Sequence, residues 1–307
     1  MIVITAGEKY VDIDALACAV AYKELLKLQN KDAVVVFQGS LNHSVSNFVK
    51  KYNFEIQNQL PVEVTGYVIV DVSEPSHISS FVKKEEVISI FDHHFGFLDF
   101  WEDAIGKEKV KIEMIGACAT LIWEEFKNNE LESKISKTSA SLLVIAIISN
   151  TFNLGVSLTS KRDIDAYNEL LDYSDLPNDW KETYFKEQEE EVFKNTAETI
   201  KNDTKIQEVP NLNQPLVIGQ IELWNGKEFL EKYIKDIQES LSQYNNPYWM
   251  MNIPSISEKN NYIYTENQEV KDLLQKALGW NFNDNLYVTK ELVLRKQILK
   301  ALYDLKP

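Results

Sequence analysis

Short apolar runs rich in β-branched residues alternate with longer helical stretches through the first half of the chain, and this alternation narrows the fold more than any other feature. Ile2-Val3-Ile4-Thr5, Ala33-Val34-Val35-Val36-Phe37, Tyr67-Val68-Ile69-Val70 and Val87-Ile88-Ser89-Ile90 read as strands. Residues 14–28 and 43–52 read as helices between the first three. Strands this uniformly apolar have no face for solvent, so they belong in a parallel sheet covered by helices on both sides. Sites in such α/β sheets form beyond the carboxyl ends of the strands. The residues at those ends are Asp12 and Asp14, then Asp71, then Asp92-His93-His94. The chain has only four histidines, so half of them stand at one strand end beside a carboxylate.

Oxygen and imidazole donors are the ligands that hard divalent cations take in phosphoryl transfer. Alone, Asp12-x-Asp14 also fits a helix cap, and Asp71 with Ser73, Glu74 and Pro75 also fits a turn. Asp92-His93-His94 is more specific, and three such groups at one predicted sheet rim point to metal-dependent phosphate chemistry.

The 307 residues suffice for two domains, each with its own core. A net charge of -15 argues against a nucleic-acid binder, which needs clustered Lys and Arg. It permits a small anionic substrate held by a bound cation or a local basic cluster. Cys18 and Cys118 lie in apolar runs and read as buried free thiols of a reducing compartment. The start lacks the basic flank and cleavage site of a signal peptide, and no apolar run reaches the roughly 18 residues of a membrane span. The expectation is a cytoplasmic protein with no membrane contact.

Residues 116–201 read as mainly helical. Gly116 to Thr120 opens one helix, and the apolar stretch Ser139–Ile148 forms a buried one. The charged stretch 181–201 reads as a connecting helix, with Glu189 to Glu191 on a solvated face. A smaller α/β unit follows, with strands at 216–219, 248–253 and 262–264 and helices at 226–243 and 268–278. Trp249 beside Met250 and Met251 reads as a core strand. The expected division is a metal-binding domain over 1–190, a connection over 191–205 and a substrate-binding domain over 206–307.

Several segments together resemble the DHH phosphoesterase superfamily: GEKYVDIDALACAVAY, FQGSLNHSVSNFVKKY, YVIVDVSEP, FDHHFGF, IGACATLIWEEF and AIISNTFNL. In the second half, IGQIE, WMMNIPSI and VLRKQIL resemble the DHHA2-like domain of manganese-dependent (family II) inorganic pyrophosphatases and related exopolyphosphatases. The branch containing RecJ-like nucleases and nucleotide phosphodiesterases carries a Gly-Gly-x-His motif instead. This chain has no Gly-Gly pair and no histidine after His94.

The resemblance implies a parallel-sheet DHH domain, a smaller α/β domain and two divalent cations, Mn²⁺ foremost, with Mg²⁺ or Co²⁺ as alternatives. One ion would be held by Glu8, Asp12 and Asp71, the other by Asp14, Asp71, His93 and Asn150. Asp71 would bridge them, and a water between them would attack phosphorus in line. His94 would contact substrate phosphate and donate a proton. Arg295 and Lys296 would grip phosphate from the second domain, with Lys205 as a third cation. The implied reaction is cleavage of a phosphoanhydride, pyrophosphate or short polyphosphate. A homodimer follows only by family analogy.

Two positions depart from the pyrophosphatase pattern. Glu8 stands where those proteins carry His, and Asn150 where they carry Asp. The summed ligand charge is unchanged but shifts toward the first ion, so the second is expected to bind more weakly. Val11 replaces a proline before Asp12. Two alternatives stay open at this level: a catalytically weakened protein that binds or senses phosphate, and an enzyme for a small phosphoester or nucleotide, with Phe95, Phe97 or Trp101 stacking a base.

Overall fold

Five parallel strands make the sheet of the first unit in the computed structural model, which describes residues 1–305. In chain order the elements of this part are β1 (Ile2–Thr5), β2 (Tyr10–Val11), α1 (Ile13–Leu28), β3 (Ala33–Val35), β4 (Ser40–Leu41), β5 (Gly66–Val70), β6 (Val87–Asp92), α2 (Leu98–Ile105), β7 (Val110–Ile112), α3 (Cys118–Asn128), α4 (Lys137–Asn150) and α5 (Lys161–Leu171). The sheet order is β3-β1-β5-β6-β7, and every adjacent pair is parallel. β2 and β4 form a separate two-stranded ribbon. The chain first winds outward from β1 to β3, then crosses back to β5. The topological switch therefore lies between β1 and β5, where open α/β sheets place their ligands.

Both sheet faces are covered, as the apolar strands require. Val3, Ile69, Ile90 and Trp101 form a cluster on one face. On the other, α1 packs on α3 and α4. α4 is apolar all round and buries ten of its residues, which is the pattern of a helix enclosed by other elements.

The chain then continues through α6 (Trp180–Lys194), α7 (Thr196–Asn202), β8 (Thr204–Gln207), β9 (Leu216–Gln220), α8 (Gly226–Ser242), β10 (Trp249–Ser255), β11 (Asn260–Tyr264), α9 (Gln268–Leu278), β12 (Leu286–Val288) and α10 (Arg295–Asp304). The second sheet has the order β12-β11-β10-β9-β8, with only the β9–β10 pair parallel. Alternation along its strands feeds two cores. Val217 and Met251 pack with Ile200, Phe229 and Leu241 of α7 and α8. Leu216, Ile218 and Met250 pack with Val270, Leu274 and Ile298 of α9 and α10.

By contacts the chain divides at Tyr184/Phe185, inside α6, with Gly155–Ser157 joining the second unit. Segment 191–205, read from the sequence as a connection, contributes buried Ile200 and the edge strand β8 to that second unit. The stretch 181–201 is two helices, broken at Asn195 (φ -134°, ψ 48°). Glu189 is not on a solvated face. It is buried and accepts the Asn225 N–H at 2.9 Å near the start of α8.

The helix expected over 43–52 is absent apart from one 3₁₀ turn at Val49–Lys51. Asn42 Oδ1 instead accepts the N–H and hydroxyl of Ser44, and Ser44 Oγ accepts the N–H of Ile13. Short polar side chains here bond to nearby backbone in competition with helix, and one of them caps α1 instead.

Candidate metal centre

Asp71 follows β5 with a left-handed backbone, φ 58°. Aspartate tolerates this region better than most residues, at a cost of roughly 1–2 kcal/mol. The Asp71 N–H still donates to Phe91 O at 2.8 Å, extending the β5–β6 ladder by one rung. The turn leaves the carboxylate nearly enclosed, and its Oδ1 is buried with no hydrogen-bond partner. That oxygen faces His93 Nε2 at 3.4 Å and His94 Nδ1 at 4.0 Å.

His93 is oriented by backbone. Its Nδ1 lies 3.1 Å from the carbonyl of Ile115, which can only accept, so Nδ1 carries the proton. Nε2 is then the ring nitrogen left facing Asp71 Oδ1 and, at 3.8 Å, Asp14 Oδ2. A ring proton fixed on a carbonyl with the other nitrogen bare is the usual posture of a metal-binding histidine.

Asp92 ends β6 and turns its carboxylate back onto the following residues. Its Oδ1 accepts the N–H groups of His93 and His94 at 2.8 and 3.2 Å, and His94 Nδ1 at 2.8 Å. Burial alone raises the Asp92 carboxyl, but the hydrogen bond and charge of His94 outweigh it and bring it below the usual range. His94 is therefore held by one ring nitrogen while its side chain stays mostly exposed.

Asp14 sits in the first turn of α1, fully buried. Its Oδ2 accepts the Cys118 N–H at 2.8 Å and Asn150 Nδ2 at 2.5 Å. Its Oδ1 accepts the Ala119 N–H at 2.8 Å and the Cys18 thiol at 3.5 Å. Asp12 caps the same helix, accepting the Ala15 N–H at 2.9 Å. Asn150 is the last residue of α4. Glu8 follows β1 half-buried, and among the described residues its carboxylate has no hydrogen bond or ion pair.

Carboxylates outnumber the two histidines in this cluster. Burial pushes Asp71 well above the usual carboxylate range, and Asp12, Asp14 and Asp92 raise it further. Burial also raises Asp14, which Asp12 reinforces and His93 with the α3 N–H groups oppose. An orphaned buried carboxylate oxygen, adjacent acids and a bare imidazole nitrogen fit a divalent cation. Asp71, His93 and His94 each offer an atom within 4.8 Å of the others. The thiols stand outside the donor set, because burial holds Cys118 up to about 12 and Cys18 well above the usual thiol value.

Sequence reasoning missed the support of this centre. Asp163 is fully buried and accepts the Gly116 N–H at 3.0 Å, Thr120 Oγ1 at 2.7 Å and Ser160 Oγ at 2.7 Å, tying the start of α3 to α5. A side chain at Gly116 would meet Asp163 Oδ2 at 2.8 Å and Thr151 Cγ2 at 2.7 Å. The Ser160-x-x-Asp163 capping spacing was the signal available for this group. The backbone donors of Cys118 and Ala119 had none.

In the second unit, Arg295 opens α10 with a largely buried guanidinium. It donates to the carbonyl of Asp203 at 2.5 Å and to its carboxylate at 2.7 Å. Its backbone N–H donates to Gln220 Oε1, which also accepts from Asn252 Nδ2 at 2.8 Å. Lys296 and, on β8, Lys205 are exposed, and among the described residues neither has a polar partner.

Residues 1–147 match the DHH family, N-terminal domain. A probable manganese-dependent inorganic pyrophosphatase of Lactobacillus acidophilus is 24% identical over 307 residues, covering 97% of this chain and 96% of that protein. A Methanococcus jannaschii structure assigned to the family II inorganic pyrophosphatases is similar over 98% of this chain and 99% of its own, with TM-score 0.59 and 20% identity. An exopolyphosphatase-related protein from Bacteroides fragilis shares the fold with TM-score 0.54 and 13% identity, over 98% of this chain and 89% of that one. The first half of the chain thus carries the likeness to the DHH family, N-terminal domain, and the chain as a whole shares the two-part fold of the Methanococcus jannaschii protein.

Proposed function

We propose that this protein is a divalent-cation-dependent phosphohydrolase that cleaves phosphoanhydride bonds, with pyrophosphate or short polyphosphate as substrate. The observation that carries the reading is Asp71 Oδ1: buried, without a hydrogen bond, and aimed at two histidine nitrogens. In our reading Glu8, Asp12 and Asp71 hold one cation, and Asp14, Asp71, His93 and Asn150 a second, with Mn²⁺ preferred and Mg²⁺ or Co²⁺ accepted. Bound there, the cations lower the pKa of water and neutralise phosphate charge. Asp92 fixes the His94 ring, and His94 meets the substrate phosphate and protonates the departing oxygen. Arg295 contributes a planar fork already braced by Asp203, and Lys296 and Lys205 contribute mobile point charges. Water adds to one phosphoryl group and the bridging P–O bond breaks.

The test is phosphate release from pyrophosphate, tripolyphosphate and long polyphosphate with Mn²⁺, Mg²⁺ and Co²⁺ in parallel. Turnover well above metal in buffer, lost in Asp71→Ala, supports the enzyme. Tight phosphate binding without turnover identifies the weakened, phosphate-binding alternative instead.

One observation favours a nucleotide or other aromatic phosphoester as a second reading. A groove of ≈540 Å³ starts at His94 and is lined by Phe95, Phe97, Phe100 and Met114. Phe95 is 88% exposed. Trp101 is not part of it, being core, with its indole N–H donated to Ser73 O at 2.7 Å. Stacking on an aromatic wall is worth about 1–3 kcal/mol per base. If a base binds there, Phe95→Ala raises KM for nucleotides and leaves KM for pyrophosphate unchanged.

A further inference from the structure

Two carboxylates of the centre are in opposite states. A carboxylate offers about four acceptor positions. Asp14 has four donors on it: the Cys118 and Ala119 N–H groups, the Cys18 thiol and Asn150 Nδ2. Asp71 Oδ1 has none. His93 Nε2 lies near both.

We infer that Asn150 sets the order and strength of cation binding, by holding Asp14 with a hydrogen bond that takes the place of a charge. This rests on the cation-dependent reading above. The bond ends on Oδ2, the Asp14 oxygen that faces His93 Nε2 at 3.8 Å. A cation reaching Asp14 from the His93 side has to displace that N–H. Half a turn of the amide about its Cβ–Cγ bond exchanges N–H for the carbonyl oxygen, a neutral ligand that hard cations accept. Asn150 is thus a latch before the turn and a ligand after it. Asp71 Oδ1, already bare, takes its ion without any such exchange. The two binding steps are therefore separated: one strong, one weak and gated by the amide. An aspartate at 150 would reverse this. It would set a second carboxylate against Asp14, destabilise the cation-free protein and tighten the second step.

The experiment compares full-length wild type, Asn150→Asp and Asn150→Leu by Mn²⁺ calorimetry and by melting with and without chelator. Wild type should show two separate steps. Asn150→Asp should melt lower than wild type in chelator, gain more from Mn²⁺, and bind the weaker ion on the order of 10–100-fold more tightly. Asn150→Leu, which removes the bond and adds no charge, should melt lower in chelator without tightening that step. Two equal steps in wild type, or an Asn150→Asp protein as stable as wild type in chelator, overturns this proposal alone. No Mn²⁺ binding by any of the three overturns the cation-dependent reading and this proposal with it.

Discussion

Asp14 caps the helix that begins at Cys118, 104 residues further along the chain. The residue before that helix, Ala117, has no side chain that can cap it, so Asp14 supplies the acceptor for its first two N–H groups. Negative charge at a helix N-terminus is favourable, and here it joins α1 to α3 within the candidate metal centre.

The cation-free protein should lose stability as pH rises. Asp71 and Asp14 carry raised carboxyl values when folded, so the native state keeps protons that the unfolded chain has released. Their contribution is complete below the unfolded carboxylate range, about pH 4, and disappears as pH climbs through the raised values. Asp92 works oppositely: its lowered value contributes above the unfolded range and is lost on acidification through the folded value. Two raised groups against one lowered group give a melting temperature in chelator that falls as pH climbs above the unfolded carboxylate range. Mn²⁺ should raise it more at the upper end. A flat profile, unmoved by Mn²⁺, would contradict the account.

Asp92→Asn should separate catalysis from cation binding. His93 keeps its orientation from Ile115 O, whereas His94 loses a charged partner on Nδ1. We expect kcat to fall by roughly 10–100-fold while Mn²⁺ affinity changes little. Parallel kinetics and calorimetry decide it; equal losses in both would place Asp92 among the groups that hold the ion.

Gly116→Ala should damage the centre from outside. The new methyl group would press on Asp163 Oδ2 and Thr151, both packed in place. Overpacking of this kind costs about 1–3 kcal/mol. Because Gly116 precedes the helix that Asp14 caps, Mn²⁺ affinity should weaken as well. Urea unfolding and calorimetry on the same variant measure both.

Glu189→Ala should destabilise the second unit by about 1–3 kcal/mol, since it strips the Asn225 N–H of its buried acceptor. Mn²⁺ affinity should be untouched. A loss of affinity in this variant would mean that Glu189 acts on the metal centre.

The parts of the fold that depend on local pattern could be read from the residues. Tyr67–Val70 is too apolar to be anything but an enclosed strand, Val87–Ile90 is a strand of the same kind with Ile88 exposed, and Asp71 and Asp92-His93-His94 follow them at the rim. Val110–Ile112, Thr204–Gln207 and Leu286–Val288 escaped because they are short edge strands whose only strong cue is the neighbour they pair with. The 43–52 segment misled because Asn42 and Ser44 spend their side chains on turns and on the cap of α1. Within the centre, residue types that bind cations were visible, but their states were not. That Asp14 is saturated and that Asp203 braces Arg295 depend on partners far along the chain, and that Asp71 Oδ1 is bare depends on how the strand ends are brought together. The resemblance to DHH phosphoesterases supplied roles for these residues; their contacts came only with the fold.

Every residue assigned here to the cations, from Glu8 to Asn150, precedes the first departure of the chain from its opening unit at Gly155. Of the residues proposed to grip phosphate, Lys205, Arg295 and Lys296 come after Tyr184 and His94 before it. In our reading three of the four phosphate contacts thus lie in a different length of sequence from the ion ligands, so selection can alter those three without touching a group that holds an ion.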